Sequence, residues 1–287
     1  MCLLMYWISI VRWQLLLACQ KIQLDVRDAS SATFVSLFLN CFFPGGGFGG
    51  DSYRAAYLMW RYPGRRTAAV LSVCVDRCCG LYALVVVATT ASFLHLPLVL
   101  SNPALLWLAI CAWLLLLGIP AIVLMACKCM PMLRGTSHGG GISWVDAIKS
   151  QIIMVGESAT SYMRTPHILL MALGLSIVIQ VTAVTAVGIL GRSLQFTGMS
   201  ILDYSFAAPW GWLAGLFPAT FGGLGVSEAA FDYVCHLLMS GDGTVGYATI
   251  FLSYRVLAMC ATLPGLVLWF LPSDSFKWST PSRQVVE

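Results

Sequence analysis

The chain has 287 residues, of which 59% are hydrophobic and only 10% are charged, and its formal net charge is +4. An ordinary soluble domain carries about a quarter charged residues, so this composition excludes a fully water-facing surface. The mean hydropathy is +0.84. We therefore expect an all-α polytopic membrane protein, with about 6–8 transmembrane or re-entrant helices in two related halves. The positive charge indicates basic cytoplasmic loops rather than nucleic-acid binding.

Apolar segments of two lengths follow one another along the chain. The four strong segments are long enough to cross a hydrocarbon core of roughly 30 Å, and they are 67–94, 103–127, 168–190 and 244–271. The weaker segments are 1–19, 30–43, 201–217 and 226–240. The segments at 30–43 and 226–240 are short for a crossing and are typical of half-helices or re-entrant segments.

These segments predict a first membrane half at 1–127, a cytoplasmic loop at 128–166 and a second membrane half at 167–287. Within the loop, apolar residues recur at steps of three and four from Trp144 to Tyr162, which predicts an amphipathic interfacial helix. Basic residues cluster just before the span 67–94, in the loop at 128–166 and after the last span. They are Arg54, Arg61, Arg65, Arg66, Lys128, Arg134, Lys149, Arg164, Lys277 and Arg283. By the positive-inside rule, the C-terminus is cytoplasmic, and we expect a multi-pass protein of the cytoplasmic (inner) membrane.

Two glycine-rich breaks interrupt the apolar chain, "NCFFPGGGFGGDSYRA" at 40–55 and "LFPATFGGLGVSEAAF" at 216–231. Each has a proline upstream and an acid just after the glycines, Asp51 in the first and Glu228 in the second. An arginine follows each acid inside an apolar span, Arg77 after 26 residues (77 − 51) and Arg255 after 27 (255 − 228). The repeated arrangement predicts an internal duplication, which is common among transporter folds.

Glycine allows a backbone to break a helix and to adopt positive φ. Unwound backbone at membrane depth is tolerated where it lines a wet cavity, and helix starts there favour anionic groups such as phosphate. We therefore predict that the motifs at 44–51 and 222–228 supply cavity-lining backbone, at Gly45, Gly46, Gly47, Gly49, Gly50, Gly222, Gly223 and Gly225. The alternative is that these glycines only permit close helix packing.

Charged residues inside apolar spans add to this interpretation. A lone charge at mid-bilayer costs on the order of 3 kcal/mol, so Asp76, Arg77 and Arg255 must face partners or water. They could pair as structural ion pairs, or an arginine could present its planar fork to a lipid phosphate. The residues predicted to line a path for a polar head group are Asn40, Asp51, Arg54, Asp76, Arg77, Glu228, Tyr254 and Arg255.

Two other classes of function are considered. Glu228, Asp232 and His236 are spaced by four residues, so one helix face could carry a cation site, as an ion-coupled transporter of a small solute or metal would need. An enzyme acting on lipid would need a positioned base or nucleophile, and no histidine or cysteine has an evident partner motif. We therefore expect no catalytic residue and no cofactor.

Five segments together resemble the membrane (flippase) region of lysylphosphatidylglycerol synthases and related stand-alone lipid-flippase-like membrane proteins. They are "VRWQLLL" (11–17), "FFPGGGFGGDSYRA" (42–55), "SVCVDRCCGL" (72–81), "FGGLGVSEAA" (221–230) and "SYRVLAMCATLPG" (253–265). The resemblance implies translocation of a phospholipid or lipid-linked glycan between leaflets, without an ATPase or aminoacyl-transferase domain in this chain. The partners implied are that lipid and the bilayer, and a homo-oligomer is left open. "PATFGG" departs from the tighter proline-glycine-glycine that is usual at the second motif.

Overall fold

The computed structural model describes residues 1–42, 48–134, 162, 165–196, 198–216, 223–239 and 246–270. These residues form helices joined by short turns, and none of them lies in a β-strand. The first helices are α1 (Cys2–Cys19), α2 (Val26–Phe42), α3 (Phe48–Arg61), α4 (Arg66–Leu94), α5 (Leu96–Ser101) and α6 (Pro103–Arg134). The later ones are α7 (Pro166–Ser193), α8 (Ile201–Ala214), α9 (Val226–Met239), α10 (Ala248–Thr262) and α11 (Pro264–Phe270).

Five parts of the described chain are long and apolar enough to cross a membrane, and they are Cys2–Cys19, Pro63–Leu94, Pro103–Ala121, Pro166–Ser193 and Ala248–Phe270. They overlap all four of the strong spans predicted from the sequence and the weaker segment at 1–19. The expected polytopic all-α fold is therefore confirmed. Helices α8 and α9 have 14 residues each, or about 21 Å, which is less than a full crossing.

Local sequence explains several helix starts. Pro103 and Pro166 are the first residues of α6 and α7, where a missing N–H costs nothing and the fixed φ suits a helix. Helix α8 begins with a capping box, in which the Ser200 hydroxyl accepts from the Asp203 N–H and the Asp203 carboxylate accepts from the Ser200 N–H. Most of the predicted amphipathic helix in the loop lies outside the described residues.

The helices pack around two main apolar clusters. The first is formed by α1, α2, α3 and the start of α4, and its largest buried side chains include Trp13 and Leu58. The second is aromatic and brings together Tyr204 of α8, Phe231 of α9 and Phe251 of α10. Helix α4 contacts α7 and α8, and α1 also packs on α7. Helix α4 thus contacts elements of both clusters, and it carries Asp76 and Arg77.

Candidate functional site

The first glycine motif leads directly into an ion pair. Helix α3 begins at Phe48, which places Asp51 in its first turn, where the helix dipole favours a carboxylate. The guanidinium of Arg77, on α4, donates from Nη2 to Asp51 Oδ1 at 2.7 Å. The Asp51 side chain is 13% exposed and that of Arg77 is 45% exposed. Since Arg77 lies well inside the span Pro63–Leu94, its exposed part needs polar surroundings in a membrane.

The second glycine motif leads into an equivalent contact. Helix α9 begins at Val226, and Glu228 lies in its first turn. Arg255 of α10 donates from Nη1 to Glu228 Oε1 at 3.1 Å and to the Gly223 carbonyl at 2.9 Å. The other carboxylate oxygen accepts the Gly225 N–H at 2.6 Å. The acid and the arginine that the sequence aligned are therefore in contact at both glycine motifs, while the internal duplication stays a prediction.

A third cluster surrounds Asp76 in the interior of the bundle. Arg12 of α1 donates from Nε to Asp76 Oδ1 at 2.7 Å, and Arg54 of α3 donates from Nη1 to Asp76 Oδ2 at 3.2 Å. Arg12 also donates to the Ser176 hydroxyl of α7 at 2.8 Å. All four side chains are buried. The cluster thus connects α1, α3, α4 and α7 through charged hydrogen bonds.

Arg12 was absent from the predicted site, although a signal for it was available. It lies in the apolar segment 1–19, within the quoted stretch "VRWQLLL". A charged side chain in such a segment needs a partner or water, for the same reason that Asp76 does. Ser176 offered no such signal, because a serine in an apolar helix commonly bonds its own backbone. Its hydroxyl does donate to the Ala172 carbonyl, besides accepting from Arg12.

Arg54 is the most enclosed of the arginines in these contacts. It is 3% exposed, and its guanidinium carbon lies 4.0 Å from the centroid of the Trp13 ring, in cation–π contact. The carboxylate of Asp76, 3.2 Å from Nη1, favours the charged form of the guanidinium, which stays protonated in proteins. A fixed positive charge is therefore held in the interior.

The predicted glycines are used in different ways. The Gly50 N–H donates to Asn40 Oδ1 at 2.7 Å, and a Cβ at Gly50 would stand 1.9 Å from the Ser36 carbonyl oxygen, so α2 and α3 are in close contact. Gly223 and Gly225 have φ of +77° and +87°, which other residues rarely adopt. Gly49 lies in the first turn of α3. Gly45, Gly46, Gly47 and Gly222 lie outside the described residues.

Tyr254, Asp232 and His236 have contacts of their own. Tyr254 lies in the aromatic cluster, 5.8 Å from Trp212 between ring centroids. In the three-residue face considered for a cation, His236 Nε2 lies 3.4 Å from Asp232 Oδ2, whereas Glu228 is engaged by Arg255. Asp232 also accepts the Ala248 N–H at 2.9 Å. Within the described ranges no three His, Cys, Asp or Glu residues are grouped as a metal site would require.

Alanine at the two positive-φ glycines should separate backbone strain from crowding. Among the described residues, no atom beyond the chain neighbours of Gly225 lies within 4 Å of a new Cβ, so Gly225→Ala should cost only the left-handed conformation, about 1–2 kcal/mol. At Gly223 the Cβ would also stand 2.7 Å from Gly215 backbone atoms, so Gly223→Ala should cost more. Apparent melting temperatures in detergent check this order. Gly225→Asn, which tolerates positive φ, is the control, and equal losses at 223 and 225 would contradict the prediction.

These features define the class of protein as a polytopic helical membrane protein with ion pairs inside its helical bundle. The family described as "Lysylphosphatidylglycerol synthase TM region" matches residues 1–265. The chain therefore belongs to this family, and the resemblance stated from the sequence motifs is confirmed. Neither a curated protein nor a solved structure matches the chain.

Proposed function

We propose that this protein is a lipid flippase, which moves a polar-headed phospholipid or lipid-linked glycan between the leaflets of the cytoplasmic membrane. The observation that carries the proposal is the repeated contact of an acid and an arginine at the start of a short helix. Asp51 with Arg77 and Glu228 with Arg255 have this arrangement, and each acid follows a glycine motif. Membership in a family of lipid-synthase membrane regions supports a lipid as the substrate.

The chemistry of these pairs suits a head group. An arginine fork can exchange its carboxylate for a lipid phosphate, and the released carboxylate can accept hydrogen bonds from ammonium or hydroxyl groups. The charges of the arginine, the carboxylate and the lipid head group are then compensated at every stage of transport, while the acyl chains remain in the hydrocarbon. The proposed role is transport without a chemical step, so we assign no catalytic residue and no ATP hydrolysis to this chain.

The spans are compatible with the orientation that the basic residues predict. Pro63–Leu94 and Pro103–Ala121 separate the first basic group from the loop at 128–166, and Pro166–Ser193 and Ala248–Phe270 separate that loop from the C-terminal residues. Two crossings between successive basic regions place all three basic regions on the same side of the membrane, provided that α8 and α9 together enter and leave through one leaflet. We therefore propose a cytoplasmic C-terminus.

Translocation should depend on the two arginines. In liposomes with a nitrobenzoxadiazole-labelled phospholipid, the wild type should expose inner-leaflet label to external dithionite faster than empty liposomes do. Arg77→Ala combined with Arg255→Ala should slow this by about 10- to 100-fold, because a charge-assisted hydrogen bond contributes about 1.5–3 kcal/mol. Arg61→Ala, which removes an exposed arginine from α3, is the matched control and should keep the wild-type rate.

Size-exclusion profiles and melting temperatures must first show that the variants are folded. A folded double variant that moves lipid at the wild-type rate would reject the proposed function. A wild type that never exceeds empty liposomes, with either anionic or zwitterionic labelled lipids, would reject it as well.

A further inference from the structure

Three buried N–H donors come together between α1 and α3 without an acceptor. They are Nε and Nη2 of Arg54 and Nε1 of Trp13, and none has a hydrogen-bond partner among the described residues. The guanidinium carbon of Arg54 is 4.0 Å from the Trp13 ring centroid, so the donors share one small region. Guanidinium and indole nitrogens only donate. What the region lacks is therefore an acceptor.

The charge balance shows which kind of acceptor is missing. Arg12 and Arg54 carry two positive charges and Asp76 carries one negative charge, which leaves +1 (2 − 1), and the adjacent Asp51–Arg77 pair adds none. A buried water would satisfy the donors but would leave the charge uncompensated. An anionic oxygen does both.

The geometry of the free donors further restricts which kind of anion can bind. Arg54 uses Nη1 for Asp76, and its free Nε and Nη2 form the opposite edge of the guanidinium. Such an edge donates two parallel hydrogen bonds to two oxygens of one phosphate or carboxylate. We propose that Arg54 and Trp13 form a binding site for a phosphate group, with Arg12 and Asp76 holding Arg54 in place. The choice of phosphate over carboxylate rests on the proposed function, because phosphate is the anionic group of membrane phospholipids.

The position of the site has a mechanical consequence. Arg54 is 3% exposed and Trp13 is fully buried, so a phosphate reaches the free edge only when the helices that enclose it move apart locally. The Asp76 contact can persist during this opening because it uses a different nitrogen of Arg54. Binding is thus coupled to a local opening of the bundle around α3, the helix that also carries Asp51.

The test is a binding assay on the full chain in an uncharged detergent. The probes are dihexanoyl phosphatidic acid, inorganic phosphate, acetate and, as a phosphate-free control, dihexanoylglycerol. We expect saturable binding of radiolabelled dihexanoyl phosphatidic acid and a concentration-dependent rise in melting temperature. Arg54→Met should lower the affinity at least tenfold without lowering the melting temperature of the probe-free protein, because it removes the uncompensated charge and leaves Arg12 paired with Asp76.

Two further variants keep the test decisive. Arg61→Met makes the same change at an exposed position of α3 and should bind as the wild type does. Trp13→Phe keeps the aromatic ring and every charge but loses one N–H, so it should weaken binding severalfold even if Arg54→Met fails to fold.

Each outcome has one meaning. Equal stabilisation by inorganic phosphate and by the lipid would support the site with free phosphate as its ligand, whereas a much larger effect of the lipid would support a head group. Binding of dihexanoylglycerol or acetate as strong as that of the phosphate probes, no binding at all, or wild-type binding by both Arg54→Met and Trp13→Phe would overturn the proposal. If the protein translocates lipid but binds no phosphate probe, the proposed function is retained and the phosphate site is rejected. If it binds phosphate but translocates no lipid, the phosphate site is retained and the proposed function is rejected.

Discussion

Asp76→Asn should destabilise the protein by about 3–5 kcal/mol, the range measured when one partner of a buried ion pair is removed. The Asp76 carboxylate is the acceptor shared by Arg12 and Arg54, and all three side chains are buried. An asparagine of the same size can accept only through its single carbonyl oxygen and carries no charge. Two guanidinium groups would then be left in the interior without a compensating anion.

The measurement is the apparent melting temperature in detergent, together with the fraction of protein that elutes as a single species. Asp51→Asn is the matched control. It makes the same chemical change in the same charged region, but its partner Arg77 is 45% exposed, so solvent can replace much of the lost interaction. Asp76→Asn should therefore lower the melting temperature far more than Asp51→Asn does.

A double variant tests whether charge is the cause. Adding Arg54→Met to Asp76→Asn removes one of the two uncompensated charges, so the double variant should be more stable than Asp76→Asn alone. The interaction energy in this double-mutant cycle should be well above about 0.5 kcal/mol. Independent, additive losses would show instead that Asp76 acts through packing, and similar melting temperatures for Asp76→Asn and Asp51→Asn would contradict the burial argument.

The sequence predicts the fold well because the membrane imposes a simple rule on it. A span needs about 20 apolar residues, and composition along the chain reports that length directly. The predicted spans 67–94 and 168–190 accordingly match α4 and α7 to within a few residues. The acid–arginine contacts could also be anticipated, because the repeated spacing after each glycine motif gave two independent indications of one arrangement.

The Asp76 cluster could not be assembled in the same way. Its members come from four helices, and Arg12 and Ser176 are separated by 164 residues along the chain. Sequence periodicity indicates that each polar group needs a partner, but which partner it meets depends on how α1, α3, α4 and α7 pack. The contact of Arg12 with Ser176 and the free edge of Arg54 are therefore results of tertiary structure.

Glycine poses a related difficulty, because the same residue serves two physical purposes. Gly223 and Gly225 adopt positive φ beside Glu228, as expected of backbone that leaves a helix. Gly50 is helical and lies against Ser36 of α2, as expected of close helix packing. These glycines belong to the two motifs at 44–51 and 222–228, so a motif alone could not separate the two uses.

Gly50→Ala should therefore be strongly destabilising, although alanine is the better helix former. The new Cβ would stand 1.9 Å from the Ser36 carbonyl oxygen and 2.6 Å from its carbon, and both atoms belong to the backbone. Relief requires α3 to move away from α2, which stretches the bond from the Gly50 N–H to Asn40. Such overpacking costs about 1–3 kcal/mol or more.

Gly174→Ala is the matched control for this change. Gly174 also lies inside a helix, α7, but no atom of the described residues outside its own helix backbone lies within 4 Å of a Cβ at that position. Alanine there should raise the stability by about 0.5–1 kcal/mol, because it only restricts the unfolded backbone. Opposite shifts in melting temperature from one substitution at two helical glycines would show that Gly50 sets the distance between α2 and α3. A neutral Gly50→Ala would mean that this contact can widen freely, and the position of Asp51 opposite Arg77 would then need another support.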